Sequence, residues 1–219
     1  MLKTLSRDEV IRFYDKFGAK QDQQGFYEDA ALNLMIELGR FTEAENVFEF
    51  GCGTGKLAER LLSTSLPATA HYAGTDISST MVRLAKTRLS GFEGRTKVQK
   101  SDGGFDVSHL GGAFDRIVCT YVLDLLSPSD IKDCLAGAHA AMNKGGLFCH
   151  AGLTKGVGPI SKITSSAWTL VHRINPSLVG GCRPLMLNDY LPAQQWERIH
   201  REVVVSSWIA SEVVILKAR

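Results

Sequence analysis

The sequence is poor in the features that mark specialised environments. It has six prolines and three tryptophans among 219 residues, and no apolar run long enough to span a bilayer. Its five cysteines, Cys52, Cys119, Cys134, Cys149 and Cys182, are an odd number with no CxxC pair. They offer neither a disulfide framework nor a zinc clamp. Cys119 and Cys149 lie in apolar runs and read as small buried hydrophobes. No block of one charge stands out, because 25 Lys and Arg interleave with 23 Asp and Glu and leave a formal net charge of +2. That argues against the basic footprint of a nucleic-acid binder. His71, His109, His139, His172 and His200 show no metal-ligand spacing. Met1 to Val10 carry charges where a signal peptide needs an apolar core. The expectation is a cytoplasmic chain without metal, nucleic-acid partner or stable membrane insertion.

What is present reads as globular: 44% hydrophobic and 22% charged residues, enough for one domain with a real core. From residue 46 onward, short apolar runs alternate with segments of helical period, the pattern of βαβ units. Strands are expected at 47–50, 72–75, 97–99, 114–120 and 147–151. Helices are expected at 56–62, 79–89 and 130–142, the last capped by Ser129 and ended by Asn143-Lys144-Gly145-Gly146. The fourth strand is bracketed by Gly111 and Gly112. Two β-rich runs, 198–205 and 212–217, are too close for a helical crossover and predict an antiparallel hairpin. The fold class is therefore α/β, Rossmann-like and doubly wound. Its mostly parallel seven-stranded sheet ends in a hairpin, and N-terminal helices (1–45) and a helical insertion (152–196) cap it.

One stretch decides the chemistry. A strand runs through Glu49 into Gly51-Cys52-Gly53-Thr54-Gly55 and then into a helix. Glycines let the backbone turn and let a ligand approach, and the helix start offers free N–H groups. A phosphate-binding P-loop fails twice here, at Phe50 and Leu57. A dinucleotide GxGxxG fails once, because Lys56 stands at the third glycine. What remains is GxGxG with an acidic residue two positions upstream. An acidic residue about twenty positions past such a loop, at the end of the next strand, is where a ribose is read, and Asp76 stands there.

The segment VFEFGCGTGKLAERLL resembles the first motif of class I S-adenosylmethionine-dependent methyltransferases. YAGTDISSTMVRLAKTRL, Ser101-Asp102-Gly103, FDRIVCTYVLDLL and GGLFCHAGL resemble the segments that follow in that superfamily, in order. The closest flavour is the small-molecule branch that includes ubiquinone and menaquinone biosynthetic enzymes. The resemblance implies S-adenosyl-L-methionine as cofactor, with residues 46–151 as its core. Glu49 would bind the amino end of the methionine part, and Gly51, Cys52, Gly53 and Gly55 would pass close to it. Asp76, with Ile77 beside it, would take the ribose. Ser101, Asp102 and Gly103 would meet the adenine, and Thr120 would close the site.

The resemblance further implies a methyltransferase acting on a small, partly apolar acceptor. No NPPY-type tetrapeptide follows the fourth strand, which argues against a nucleobase acceptor. The alternatives are a nucleotide-cofactor oxidoreductase on the same fold, or a non-catalytic cofactor-binding protein. His150, Tyr14, Tyr121 and Asp124 are the candidates for a catalytic group. In the insertion, Ile160, Ile163, Ala167, Leu170, Val171 and Ile174 share one helical face. That face is expected to roof the acceptor pocket, with Trp168 and Leu170 in contact. Competing uses are a homodimer interface or transient membrane contact.

Overall fold

The computed structural model describes residues 4–110, 113–192 and 194–219, apart from the His109 side chain. Helix α1 (Arg7–Phe17) opens the chain, fixed by a reciprocal capping box between Ser6 and Glu9. A 3-10 stretch, Gly18–Gln24, links it to α2 (Gly25–Leu38). There follow β1 (Asn46–Phe50), α3 (Lys56–Thr64), β2 (His71–Asp76), α4 (Ser79–Arg88), β3 (Thr96–Lys100) and β4 (Phe114–Thr120). The chain ends with α5 (Pro128–Ala140), β5 (Met142–Leu153), α6 (Pro159–Ile174), β6 (Trp196–Ser206) and β7 (Ile209–Ala218).

These strands form one seven-stranded sheet in the order β3-β2-β1-β4-β5-β7-β6. The first five are parallel; β7 runs antiparallel to β5, and β6 antiparallel to β7. The expected mixed α/β sheet is the observed one. Successive strand residues point to opposite faces, and the sequence obeys this in its interior. Val47, Val118, Cys149 and Ile215 enter a core with α2, α3 and α4. Their neighbours Phe48, Ile117, Phe148 and Leu216 enter another with α5. The strand order reverses between β1 and β4, which opens a crevice at their carboxyl ends.

Several boundaries differ from the sequence reading, each for a local reason. Helix α5 is capped by Ser127, whose hydroxyl accepts from the Asp130 amide, because Pro128 supplies the first helical position. Ser129 is not the cap. Asn143 to Gly146 belong to β5, accommodated by a register shift against β4 between Phe114 and Arg116. The β6–β7 hairpin turns on Ser207 and Trp208, with φ of 50° and 68°. Two left-handed central residues match the twist of a two-residue hairpin, but neither is a residue type that announces it. Gly111 and Gly112, read as the bracket before β4, lie outside the described residues.

The largest correction concerns α6. Its expected apolar face is turned to solvent, with Ile163 70% and Ile174 68% exposed, while Ser161 and His172 are buried. The helix docks on β7 through its more polar side.

A buried charge ties β4 to the end of α2. Arg116 is 6% exposed. Its guanidinium donates to the carbonyls of Gly39 (2.5 Å), Arg40 (2.7 Å) and Asp115 (2.9 Å). Those first two carbonyls lie just past α2, where no intrahelical donor is left for them. Arg116→Met should lower the unfolding free energy by about 2–4 kcal/mol, since buried carbonyls lose a charged donor. The exposed Arg198→Met should stay within about 0.5 kcal/mol in the same denaturant titration. Equal values for the two would show that Arg116 does not hold α2.

Candidate active site

The chain leaves β1 at Phe50 and turns through Gly51, Cys52, Gly53, Thr54 and Gly55 into α3. Gly51, Gly53 and Gly55 have φ of 77°, 51° and 77°, a region that side chains with a Cβ rarely adopt. A Cβ on Gly51 would overlap the Val122 side chain. At Gly55 it would meet the Ala85 backbone of α4 at 3.1 Å, so Gly55 serves helix packing.

Two carboxylates flank this loop. Asp76, at the end of β2, accepts hydrogen bonds from the amides of Gly53 (2.9 Å) and Ser78 (2.8 Å). Burial raises its pKa although these bonds oppose the rise. Glu49 is 2% exposed and accepts a 2.6 Å bond from the Tyr72 hydroxyl. Burial pushes its pKa up to about 7, again against the hydrogen bond. A buried carboxyl with one protein donor is expensive to ionise unless something cationic comes beside it.

Both carboxylates face open space. A cavity of about 870 Å³, its mouth included, lies over the carboxyl ends of β1 and β4. Gly51, Asp76, Ile77, Ser101, Gly103 and Thr120 form its floor and one side. Leu5, Arg7, Val10 and Tyr14 from the N-terminal arm close it above, and Tyr121, Leu125 and Leu126 add apolar wall. A smaller cavity shares Gln21, Gly51, Thr120 and Tyr121 with it and adds Glu49, Cys52 and Gly53. Most residues singled out in the sequence therefore meet around one crevice.

Four do not. Gly55 packs on α4. The Asp102 side chain is 80% exposed, 3.9 Å from Arg7, and caps the Gly104 amide. His150 sits inside β5, 1% exposed, its Nδ1 2.9 Å from the Cys119 carbonyl. Burial drives its pKa down to about 4, so it is neutral and structural there. Asp124 is 1% exposed behind the wall, accepting from the Leu153 amide, and burial lifts its pKa to about 6.

Of the candidate catalytic groups, Tyr14 and Tyr121 reach the cavity. Burial raises the pKa of both hydroxyls above the ordinary tyrosine range. Tyr121 donates to the Ser211 hydroxyl at 2.9 Å and has φ of 54°. A non-glycine residue held in that region at the end of a strand is the kind of strain that collects at functional sites.

Several residues of the site carry no local sequence signal. Arg88 donates to Asp22 at 2.6 Å and to the Thr54 hydroxyl at 2.7 Å, while Thr54 donates to Asp22 at 2.6 Å. Burial opposes ionisation of Asp22, but the bonds from Arg88 and Thr54 outweigh it and lower the pKa. This network clamps the Gly18–Gln24 stretch over the glycine loop. It places the Gln21 side-chain amide beside Gly53, with its Oε1 buried and without a hydrogen-bond partner. Asp15 makes a second clamp, accepting from the Ser78 hydroxyl (2.5 Å) and the Thr80 amide (3.1 Å). These pairs span more than thirty positions, beyond any local pattern. Among the described residues no group of His, Cys, Asp and Glu could hold a metal ion.

Comparison with known proteins agrees with this geometry. A family described as a methyltransferase domain matches residues 48–148. An uncharacterized methyltransferase of Bacillus cytotoxicus is 32% identical over 144 residues, 66% of this chain and 64% of that protein. The chain thus spans less than two thirds of that relative's length. The N-methyltransferase NodS of Bradyrhizobium japonicum, solved with S-adenosylhomocysteine, superposes with a TM-score of 0.64 at 14% identity, over 87% of each chain. Magnesium protoporphyrin IX methyltransferase of Synechocystis, also with S-adenosylhomocysteine, gives 0.62 at 16% identity, over 97% of this chain and 93% of that one. With the glycine loop and the strand order beside it, the match over residues 48–148 makes this chain similar to methyltransferase domains, on a fold that it shares with both of these solved methyltransferases.

Proposed function

We propose that this chain is a methyltransferase that moves a methyl group from S-adenosyl-L-methionine to a small, partly apolar acceptor. The observation that carries the reading is the pair of enclosed carboxylates, Glu49 and Asp76, facing adjoining cavities on the two sides of one glycine loop. The cofactor, when bound, supplies an electrophilic methyl group on a sulfonium sulfur. The residues present fit it. Glu49 would take its cationic amino group, and the Gln21 Oε1, buried without a hydrogen-bond partner, stands at the same end of the crevice. Asp76 would accept from its ribose diol, and Ile77, Ser101 and Gly103, which line the same cavity, would hold its adenine. Gly51, Cys52, Gly53 and Thr120 leave room between them.

Transfer by in-line displacement needs the acceptor atom held about 3 Å from the methyl carbon, and positioning supplies much of the rate. Val10, Tyr14, Leu125 and Leu126 provide an apolar seat and exclude water. Tyr14 and Tyr121 keep their protons at neutral pH and so do not deprotonate the acceptor; Tyr14 orients it by donating a hydrogen bond, whereas Tyr121 donates to Ser211 and offers only its oxygen as an acceptor. The five free cysteines suit a reducing compartment, and we place the protein in the cytoplasm.

Isothermal titration tests the cofactor. S-adenosylmethionine or its demethylated product should bind, with NAD and ATP negligible; the reverse order overturns the reading. Asp76→Ala should weaken binding by about 1–3 kcal/mol. An unchanged dissociation constant would mean that Asp76 only fixes the Gly53 and Ser78 amides. Incubation with the labelled sulfonium and a fractionated cell extract then identifies the acceptor; no labelled product in any fraction would leave a binding protein.

The Glu49 carboxyl gives a pH dependence with a definite sign. Its folded pKa of about 7 lies above the ordinary value of 4.5. Its contribution to stability is therefore full below about pH 4.5 and is lost as the pH rises through about 7. A bound ammonium favours the ionised carboxyl, so affinity should rise from about pH 6 to about pH 8. Glu49→Gln should abolish that rise and weaken binding about tenfold or more, while the free protein is at least as stable as wild type at about pH 8. A pH-independent wild-type affinity would remove Glu49 from the cofactor site.

A further inference from the structure

Outside the crevice, helix α6 is the feature that the fold does not account for. A surface helix normally buries its apolar stripe. Here the polar side is the docked one. Ser161 and His172 are 4% and 2% exposed. Ser165 accepts from the Gly156 amide at 3.0 Å, and the Trp168 indole donates to the Cys182 carbonyl at 2.9 Å. The outward side carries Ile160, Ile163, Leu170 and Ile174, 53%, 70%, 59% and 68% exposed. Steps of three, seven and four residues keep these on one line. Val157 before the helix and Leu178 after it extend the line, 56% and 70% exposed. An exposed apolar stripe of this length marks an interaction surface.

Charge selects the occupant. Between Asp133 and Asp189 the sequence has no acidic residue, and exposed Lys155, Lys162 and Arg173 stand beside the stripe. If two copies paired antiparallel about Ala167, Lys162 of each would fall near Arg173 of the other, with no carboxylate on either helix. Like charges across such a seam are destabilising. An anionic bilayer offers both complements, an acyl boundary for the stripe and phosphates for the cations. Among the described residues no helix is long and apolar enough to cross a membrane.

We propose that α6 lies in the plane of an anionic lipid surface, its apolar line immersed and Lys155, Lys162 and Arg173 on the headgroups. The seat is argued without the transfer reaction, but it bears on it. Trp168 on the docked side holds Cys182, whose sulfur is 3.9 Å from the Tyr14 hydroxyl in the cavity wall. The surface helix and the crevice are thus connected through one residue, an arrangement suited to an apolar acceptor that resides in lipid.

Co-sedimentation of the full chain with large vesicles tests this. Vesicles of equal parts phosphatidylglycerol and phosphatidylcholine should retain the protein at low salt, and pure phosphatidylcholine vesicles should not. Raising the salt to about 0.5 M should release most of it, because the Debye length falls below the reach of the exposed cations. Ile163→Asp with Leu170→Asp, and separately Lys162→Glu with Arg173→Glu, should each cut retention about tenfold or more. Both variants should keep wild-type thermal stability and S-adenosylmethionine affinity, since these side chains are exposed and away from the crevice. Absence of wild-type binding to the anionic vesicles overturns the proposal. So does a wild-type dimer in sedimentation velocity that Ile163→Asp with Leu170→Asp converts to monomer, which would assign the stripe to a second copy. Retention unchanged in both variants also overturns it, placing lipid contact elsewhere.

Discussion

Everything at the carboxyl edge of the sheet answers to the cost of enclosing carboxylates. Glu49 ends up almost wholly buried with one tyrosine donor, and Asp76 with two backbone amides. Among the described residues no cation neutralises either one, and both are pushed upward in pKa by burial. A fold optimised only for stability would place apolar residues there, since replacing buried polar groups together with their partners is often neutral or stabilising. The left-handed glycines, the Tyr72 hydroxyl and the Ser78 cap are the local means by which the sheet tolerates these two groups. A cationic ligand relieves the same cost, so the instability of the free site and its affinity for such a ligand have one origin.

The N-terminal arm is organised around that edge. Asp22 and Asp15 hold it against the glycine loop and against the start of α4 respectively. They do so with different chemistry, an ion pair with Arg88 in one case and hydroxyl and amide donors in the other. The Arg88–Asp22 pair is partly shielded, about a quarter exposed on each side, and Thr54 shares it. Such a small network is worth more than an isolated surface pair. The arm thereby brings Gln21, Val10 and Tyr14 to the cavity, and the crevice is not complete without it.

How much of this was legible depends on the range over which each signal acts. The glycine loop, the acidic ends of β1 and β2 and the alternation of the strands are local, and residues 47–55 and Asp76 declare them. The antiparallel hairpin was readable from spacing alone, but its turn was not, because Ser207 and Trp208 adopt left-handed backbone that their identity does not advertise. Gln21, Asp22 and Arg88 become site residues only through contacts between segments far apart in the sequence. The amphipathic period of α6 was correct while its orientation was not. Periodicity locates a stripe, whereas what the stripe meets is decided by the docking of the opposite face.

His150 and Asp124 show why strand-end position is an uncertain guide to chemistry. Both lie in segments that end at the crevice, yet the imidazole turns to the Cys119 carbonyl and the carboxyl to the Leu153 amide. The two hydroxyls that do reach the cavity are held protonated by their low-polarity surroundings. A site built this way has strong means of positioning and weak means of removing a proton. On the proposed reading, acceptors with an available lone pair at neutral pH suit such a site better than those that must first be deprotonated, because positioning alone then suffices for displacement at a methyl carbon.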